Sequence, residues 1–425
     1  VRVAILGCGN VGAALVGILQ DRADALSVQA GARFVIAGIA VNDLGAARPA
    51  HVPRDLLTTD AAALVADPSI DVVVELIGGL EPAGSLVRAA LDSGRPVITA
   101  NKALLASHDG VALRTLARER AVDLLYEAAV AGAIPLVRAL RESLTGERIH
   151  RVMGIVNGTT NFILTRMGED GADYATVLAE AQALGLAERD PTADVEGFDA
   201  AAKAAILAGV AFGYNVSDDA VDREGITGIT PADVEFAQRA GYVIKLLAVV
   251  ERSGDDGLSV RVHPALVPNA HPLAGVRDAF NAVFIEGEAA GPLAVEHQLA
   301  GGLPTASAVV GDLIDATRNL LAGTTAPAPD REPAHLVPGA DLVAGFYISL
   351  DVADRPGVLG AVTTAFGANG VSIRSVEQEG GAGEARLVFV THQAREGDVR
   401  ATLAVLGGLD VVERIGGVMP IVGVS

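Results

Sequence analysis

The chain has 425 residues, more than one ordinary domain holds and enough to bury several cores. Half of the residues are hydrophobic but only 4% are aromatic, and alanine with glycine supplies much of the bulk, which points to a soluble α/β class with helices packed closely on sheets. A formal net charge of -20 leaves no basic footprint for nucleic acid or anionic membrane surfaces, and the single cysteine, Cys8, excludes an internal disulfide and a cysteine-rich zinc site.

One unpaired cysteine fits a reducing cytoplasm. The first residues, V-R-V-A-I-L-G, read as a strand rather than a secretory leader, and the apolar runs fall short of the roughly 18 residues of a membrane span. The expectation is a cytoplasmic protein without a transmembrane segment.

Residues 1–135 alternate short β-branched runs, at 1–6, 33–41, 70–77, 96–99 and 122–126, with helical patterns. That rhythm predicts a parallel, doubly wound sheet. The first run leads into G-C-G-N-V-G and then a helix, the setting in which this motif binds a dinucleotide. Gly7 allows the tight turn, Gly9 lets the backbone approach a pyrophosphate, and Gly12 lets the helix pack on the strand. Asp43, after the second strand, suits an adenosine ribose. No arginine immediately precedes it, so Asn42-Asp43 points to NAD or dual use over strict NADP preference, with Arg48 nearby.

Residues 136–322 change to an α+β pattern that includes V-M-G-I-V-N-G-T-T-N-F-I-L, a helix over 232–251 and H-P-A-L-V-P. Within it, residues 188–203 place five carboxylates (Glu188, Asp190, Asp194, Glu196, Asp199) before Lys203, which opens an apolar helix. Two readings stand: Asp199 opens the helix and forms an i,i+4 ion pair with Lys203, or the carboxylates hold a polar substrate while a partly desolvated lysine transfers a proton. Residues 323–341 carry four prolines, which bar regular structure and predict a linker. Residues 342–425 read as a ferredoxin-like βαββαβ module: strand 345–353, a D-R-P-G turn, helix 358–368, strand 371–378, a glycine hairpin, strand 385–392, helix 396–406 and strand 409–414.

Taken together the motifs resemble the homoserine dehydrogenase family over nearly the whole chain. They are the glycine loop at 7–12, V-V-V-E-L-I-G-G at 72–79, T-A-N-K-A-L-L-A at 99–106, E-A-A-V-A-G-A-I-P at 127–135 and N-G-T-T-N-F-I-L at 157–164. The acidic run ending in Lys203, A-G-Y-V-I-K-L-L-A at 240–248 and G-G-L-P-T-A-S-A-V-V-G-D-L at 301–313 complete the set. D-R-P-G-V-L at 354–359 and V-S-I-R-S-V at 371–376 make the last module similar to an ACT domain.

The resemblance implies reversible NAD- or NADP-dependent reduction of L-aspartate 4-semialdehyde to L-homoserine. It implies Lys203 as proton donor, Lys102 polarising the carbonyl or assisting proton transfer, and substrate binding by Glu188, Asp199, Gly158 and Thr159, with Asp194 orienting Lys203. The cofactor set it implies is Gly7, Gly9, Asn10, Val11, Gly12, Asp43, Gly78, Lys102, Gly185, Glu188 and Gly302. It also implies a structural sodium ion held by main-chain carbonyls at Glu127, Val130, Gly132 and Ile134, chemistry that suits a hard cation. A homodimer or homotetramer built through the middle domain, and an amino-acid effector such as threonine near the D-R-P-G turn, are the partners implied.

Two departures from the family pattern are visible. Where the family reads G-Y-A-E-P-D-P this chain reads G-L-A-E-R-D-P, placing Leu186 for a tyrosine and adding Arg189. A glycine-rich turn expected before Gly301 is H-Q-L-A, residues 297–300. A noncatalytic amino-acid sensor on this fold, or a dehydrogenase of another small amino or hydroxy acid, are the competing readings.

Overall fold

The computed structural model describes residues 1–132, 134–254, 257–298, 301–327, 332–381 and 384–423. Six parallel strands form the first sheet: β1 (Arg2–Leu6), β2 (Val35–Ala40), β3 (Leu57–Thr58), β4 (Val72–Glu75), β5 (Val97–Thr99) and β6 (Leu124–Leu125), in the order β3-β2-β1-β4-β5-β6. This is the doubly wound order whose topological reversal, between β1 and β4, opens a crevice at the strands' carboxyl ends. V-A-I-L of β1 and V-V-V-E of β4 are buried throughout because helices cover both faces. The two-residue edge strand β3, pairing Leu57 and Thr58 with Ile39 and Ala40, is the one element of this sheet absent from the sequence reading.

The helix Gly302–Ala322 belongs by chain position with the 136–322 segment, yet it packs on the helix Asn10–Asp21. Its Ala306, Val309, Val310, Leu313 and Ala316 share a core with Val3, Ile5, Leu15, Val16 and Val72. The dinucleotide-type domain is thus completed by the last helix of the 136–322 segment.

A second sheet runs from the strand Gly291–Gln298 through Phe280–Gly287, Ile149–Ile155 and Tyr242–Ser253 to Gly257–Pro268. The helices Gly158–Asp170, Phe198–Phe212 and Pro231–Arg239 bury one face of it. The helix expected over 232–251 is corrected here: it stops at Arg239, Gly241 turns with φ 81°, and residues 242–253 are strand, paired in register from Tyr242↔Pro268 to Ser253↔Gly257. Beyond Gly241 the run is rich in β-branched residues, and pairing with a distant strand overrides its helical apolar spacing.

The expected linker also forms pairs despite its prolines. Glu332–Pro333 pairs with Tyr214–Asn215, and His335–Leu336 with Gly257–Leu258. The C-terminal module has its four main strands in the order Val412–Ile421, Val343–Ala353, Glu384–Thr391, Ile373–Gly381, with the helices Val358–Ala368 and Glu396–Leu406. Its last strand is Val412–Ile421 rather than 409–414, because Leu409 and Val412 are taken into a turn closing the preceding helix. Ile421 then pairs with Leu266, joining the module's sheet to the middle sheet.

A buried carboxylate locks this junction. Asp233, at the start of the helix Pro231–Arg239, accepts from Tyr347 Oη at 2.7 Å, Arg386 at 2.5 Å and the Thr230 hydroxyl at 2.6 Å. Among the described residues, no helix is long and apolar enough to cross a membrane.

Candidate active site

The glycine loop has the shape its sequence predicts. Gly7 has φ 99°, and a Cβ there would lie 2.5 Å from the Leu76 carbonyl oxygen, while one on Gly12 would lie 2.3 Å from that of Gly7. Gly9 faces open space, with nothing within 4 Å of where its Cβ would be. The helix Asn10–Asp21 has neither a side-chain cap nor an acid in its first turn, so its N–H groups and positive end face the crevice. Gly302 abuts Asn10, whose carbonyl oxygen lies 2.8 Å from its would-be Cβ, and Arg48 reaches the Cys8 thiol. Asp43 is exposed after β2, and its Oδ1 accepts the Gly45 N–H at 2.7 Å.

Glu75, fully buried at the end of β4, arranges the other wall. Its Oε1 accepts the N–H groups of Ile77 and Gly78 at 2.8 and 3.0 Å, and its Oε2 accepts from Thr99 Oγ1. Asn101 caps the helix Lys102–Ala106 through the Leu104 N–H and donates to the Gly79 carbonyl at 2.7 Å. Lys102 therefore leaves the crevice at a fixed point, its side chain 46% exposed.

The middle domain meets Lys102 with Asp199. The turn before the helix Phe198–Phe212 uses Gly197 at φ 80°, and the first helical turn buries Asp199. One Asp199 oxygen pairs with Lys102, while the other accepts from Lys203 Nζ at 2.7 Å and from Asn157 Nδ2 at 2.9 Å. Lys203 also donates to the Val156 carbonyl at 2.5 Å. Asn157 bridges on to Asp194 at 2.7 Å.

These neighbours move the proton affinities apart. Burial lowers that of Lys203, with Lys102 adding and Asp199 opposing. Burial disfavours ionised Asp199, but the two ammonium groups outweigh it and hold this carboxyl well below its ordinary range. Burial raises Asp194, against the Asn157 hydrogen bond. A lysine poised below its usual range beside a carboxylate fixed in its charged form is an arrangement for moving protons.

Comparisons with known proteins give the chain a family. The family model for homoserine dehydrogenase matches residues 135–314, that for the homoserine dehydrogenase NAD binding domain residues 7–127, and the ACT domain model residues 346–410. Homoserine dehydrogenase of Mycobacterium tuberculosis is 49% identical, covering 100% of this chain and 98% of its own, and that of Corynebacterium glutamicum is 48% identical, covering 99% and 95%. The chain belongs to the homoserine dehydrogenase family. A solved homoserine dehydrogenase from Thiobacillus denitrificans superposes with a TM-score of 0.93 at 38% identity, covering 100% of this chain and 99% of that one. A hyperthermophilic archaeal homoserine dehydrogenase solved with NADPH gives 0.63 at 27% identity over 75% of this chain.

Within this homoserine dehydrogenase fold the structure gathers Lys102, Lys203, Asp199 and Asp194 through Asn157. The acid touching Lys203 is Asp199, whereas Asp194, read from the resemblance as its orienting residue, bonds Asn157. Thr159 Oγ1 donates to the Leu186 carbonyl at 2.7 Å, tying the 157–160 loop to the turn at Gly185. The Leu186 side chain is partly buried and packs against the main core. Glu188 is exposed and makes no side-chain hydrogen bond among the described residues; only its carbonyl is used, by Gln182 at 3.0 Å. Leu299 and Ala300 of the H-Q-L-A departure lie outside the described residues.

Where the chain passes from the first domain to the middle one, the Glu127 carboxylate accepts the N–H groups of Val137 and Arg138 at 2.9 and 2.7 Å, and its own N–H donates to buried Asp312 at 2.8 Å. Burial pushes Asp312 up to about 7, against that N–H donor. Ala131 and Gly132 are both left-handed, at φ 57° and 66°, which turns successive carbonyls of the expected cation loop. The carbonyls of Glu127 and Ile134 already accept from Val130 and Leu136 N–H, leaving each oxygen a second lone pair. Asn157 belongs to the N-G-T-T loop that the sequence marks for the substrate site, although its bridge between Asp194 and Asp199 does not show in the sequence. Sequence reasoning missed Glu75, Asp312 and the Val156 carbonyl; an acid closing β4 was the only visible signal among them.

Proposed function

We propose that this chain interconverts L-aspartate 4-semialdehyde and L-homoserine, with Lys203 as the group that exchanges the proton. The observation that carries this reading is the Lys203–Asp199–Lys102 cluster, with Asp199 and Lys203 enclosed and Lys102 half-exposed, set where the crevice of the dinucleotide domain meets the middle domain. A bound nicotinamide supplies or takes the hydride at the substrate carbon. In the reducing direction the Lys203 ammonium gives its proton to the carbonyl oxygen, and in the oxidising direction the neutral amine takes the hydroxyl proton. Lys102 stabilises negative charge developing on that oxygen. Asp199 holds both ammonium groups, so Asp194, with Glu188 at the rim, is left to receive the substrate ammonium.

Gly7, Gly9, Asn10, Val11, Gly12, Gly78 and Gly302 line the dinucleotide path, with Gly185 and Glu188 across from it. Asp43 suits a ribose hydroxyl and Arg48 a phosphate, which supports use of both NAD and NADP. The carbonyls of Glu127, Val130, Gly132 and Ile134 suit a structural sodium ion. The edge strand Gly291–Gln298, with Leu293 and Val295 over a third exposed, supports a homodimer or homotetramer built on the middle sheet. A recess of about 380 Å³ beside Asp354, Arg355 and Gly357 suits an amino-acid effector, threonine first. Nicotinamide absorbance during incubation with homoserine and NAD or NADP tests the reaction: turnover supports it, and none with either dinucleotide points to a noncatalytic sensor.

A further inference from the structure

One buried cation takes no part in the proposed proton exchange. Lys245, within A-G-Y-V-I-K-L-L-A, is 3% exposed on the strand Tyr242–Ser253. Its Nζ donates to Asn161 Oδ1 at 2.8 Å and to the Val276 carbonyl, and no carboxylate among the described residues lies within ion-pair distance. Burial lowers its proton affinity to about 8, with Arg277 adding and Glu169 and Asp278 opposing. An unpaired buried ammonium costs folding free energy, so its retention calls for a purpose other than stability.

The purpose follows from what its acceptor does. Because Asn161 Oδ1 faces the ammonium, the amide nitrogen is turned to the 276–280 segment, donating to the carbonyls of Asp278 at 2.9 Å, Phe280 at 3.2 Å and Val276 at 3.4 Å. That segment is bent at Asp278, whose φ of 51° is unfavourable for a residue with a side chain. It presses the Ala279 carbonyl against Gly158, where a Cβ would meet the oxygen at 2.7 Å. Gly158 opens the helix Gly158–Asp170 next to Asn157, one turn before Asn161, and the Asn161 N–H bonds the Asn157 carbonyl at 3.3 Å. Two asparagines thus hold the ends of one helical turn. Asn157 bridges Asp194 and Asp199, and Asn161 answers to Lys245.

We propose that Lys245 is a positioning residue for the reaction: through Asn161 it clamps the 276–280 segment under Gly158 and so fixes the Asn157 bridge that sets Asp194 and Asp199 around Lys203. This rests on the assignment of the Lys203 cluster as the reacting site. The effect should fall on the amino-acid substrate and on turnover, because the glycine loop at 7–12 belongs to the other domain.

The test uses the full-length chain, with homoserine oxidation by the wild type established first; absence of that turnover would count against the function and not against the clamp. Lys245→Met keeps the stem and removes the donors. A misplaced site commonly loses up to about 10²-fold in rate. The expected result is a fall in kcat approaching that, with a higher KM for homoserine and an unchanged KM for the dinucleotide. Asn161→Asp keeps an acceptor for Lys245 but loses the three contacts to 276–280, so it should show the same split and decides the matter if Lys245→Met does not fold. A folded variant with wild-type kcat and homoserine KM, or one that loses only thermal stability, would overturn the proposal.

Discussion

Asp199 and Asp233 are both buried carboxylates gripped by basic side chains, yet the two clusters are built for different ends. Asp233 is wholly enclosed and receives fixed donors from two domains, among them Arg386, Tyr347 and Thr230. Its cation is a guanidinium, which does not give up a proton in a protein. Asp199 instead faces two ammonium groups, one of them on a side chain 46% exposed, and shares Asn157 with the second carboxylate Asp194. Burial with lysine makes a site that can titrate, whereas burial with arginine and hydroxyl donors makes a clasp.

The largest expected effect lies in the first cluster. Lys203→Ala should lower kcat by about 10²- to 10⁴-fold while leaving dinucleotide affinity, read by fluorescence titration, unchanged. Near-normal turnover would erase the distinction between the clusters. In the second, Arg386→Met strands Asp233 without its cation, and breaking such a buried pair typically costs about 3–5 kcal/mol in denaturant unfolding. The contrast predicts that kcat of the still-folded Arg386→Met protein stays near wild type; a drop matching that of Lys203→Ala would mean that the clasp also serves the reaction.

Smaller effects sharpen the electrostatics. Lys102 lowers the proton affinity of Lys203 and Asp199 raises it. With Lys203 in its proposed role, homoserine oxidation needs the neutral amine, so its rate should rise with pH through that ionisation. Lys102→Met should move this limb to higher pH and Asp199→Asn to lower pH, each by about 1 unit or more. Shifts in the same direction would refute the charge arrangement. The smallest effect concerns the C-terminal recess. Gly357 has φ 94°, where a side chain costs about 1–2 kcal/mol, so with threonine as the proposed effector Gly357→Ala should raise the concentration needed for half-inhibition without changing the uninhibited rate.

Much of this was legible in the chain because local chemistry wrote it. The glycine loop, the strand–helix rhythm and the i,i+4 spacing of Asp199 and Lys203 are short-range patterns with short-range causes. What was missed depends on partners far along the chain. The Val156 carbonyl lies 47 residues from Lys203, and Tyr347 lies 114 from Asp233. The Tyr242–Ser253 strand was read as helix because its fate is set by pairing with Gly257–Pro268 and not by its own apolar spacing. The roles of Asp194 and Asp199 could not be separated by counting either, since Asn157, which distinguishes them, approaches from another element.

The central claim, that Lys203 exchanges the proton, is tested most directly by the pH dependence of the single-turnover rate of homoserine oxidation. The wild type should show one rising limb centred below the ordinary lysine value, and Lys203→Ala should be slow with that limb gone. The same limb surviving in Lys203→Ala would assign the proton transfer to another group and contradict the account.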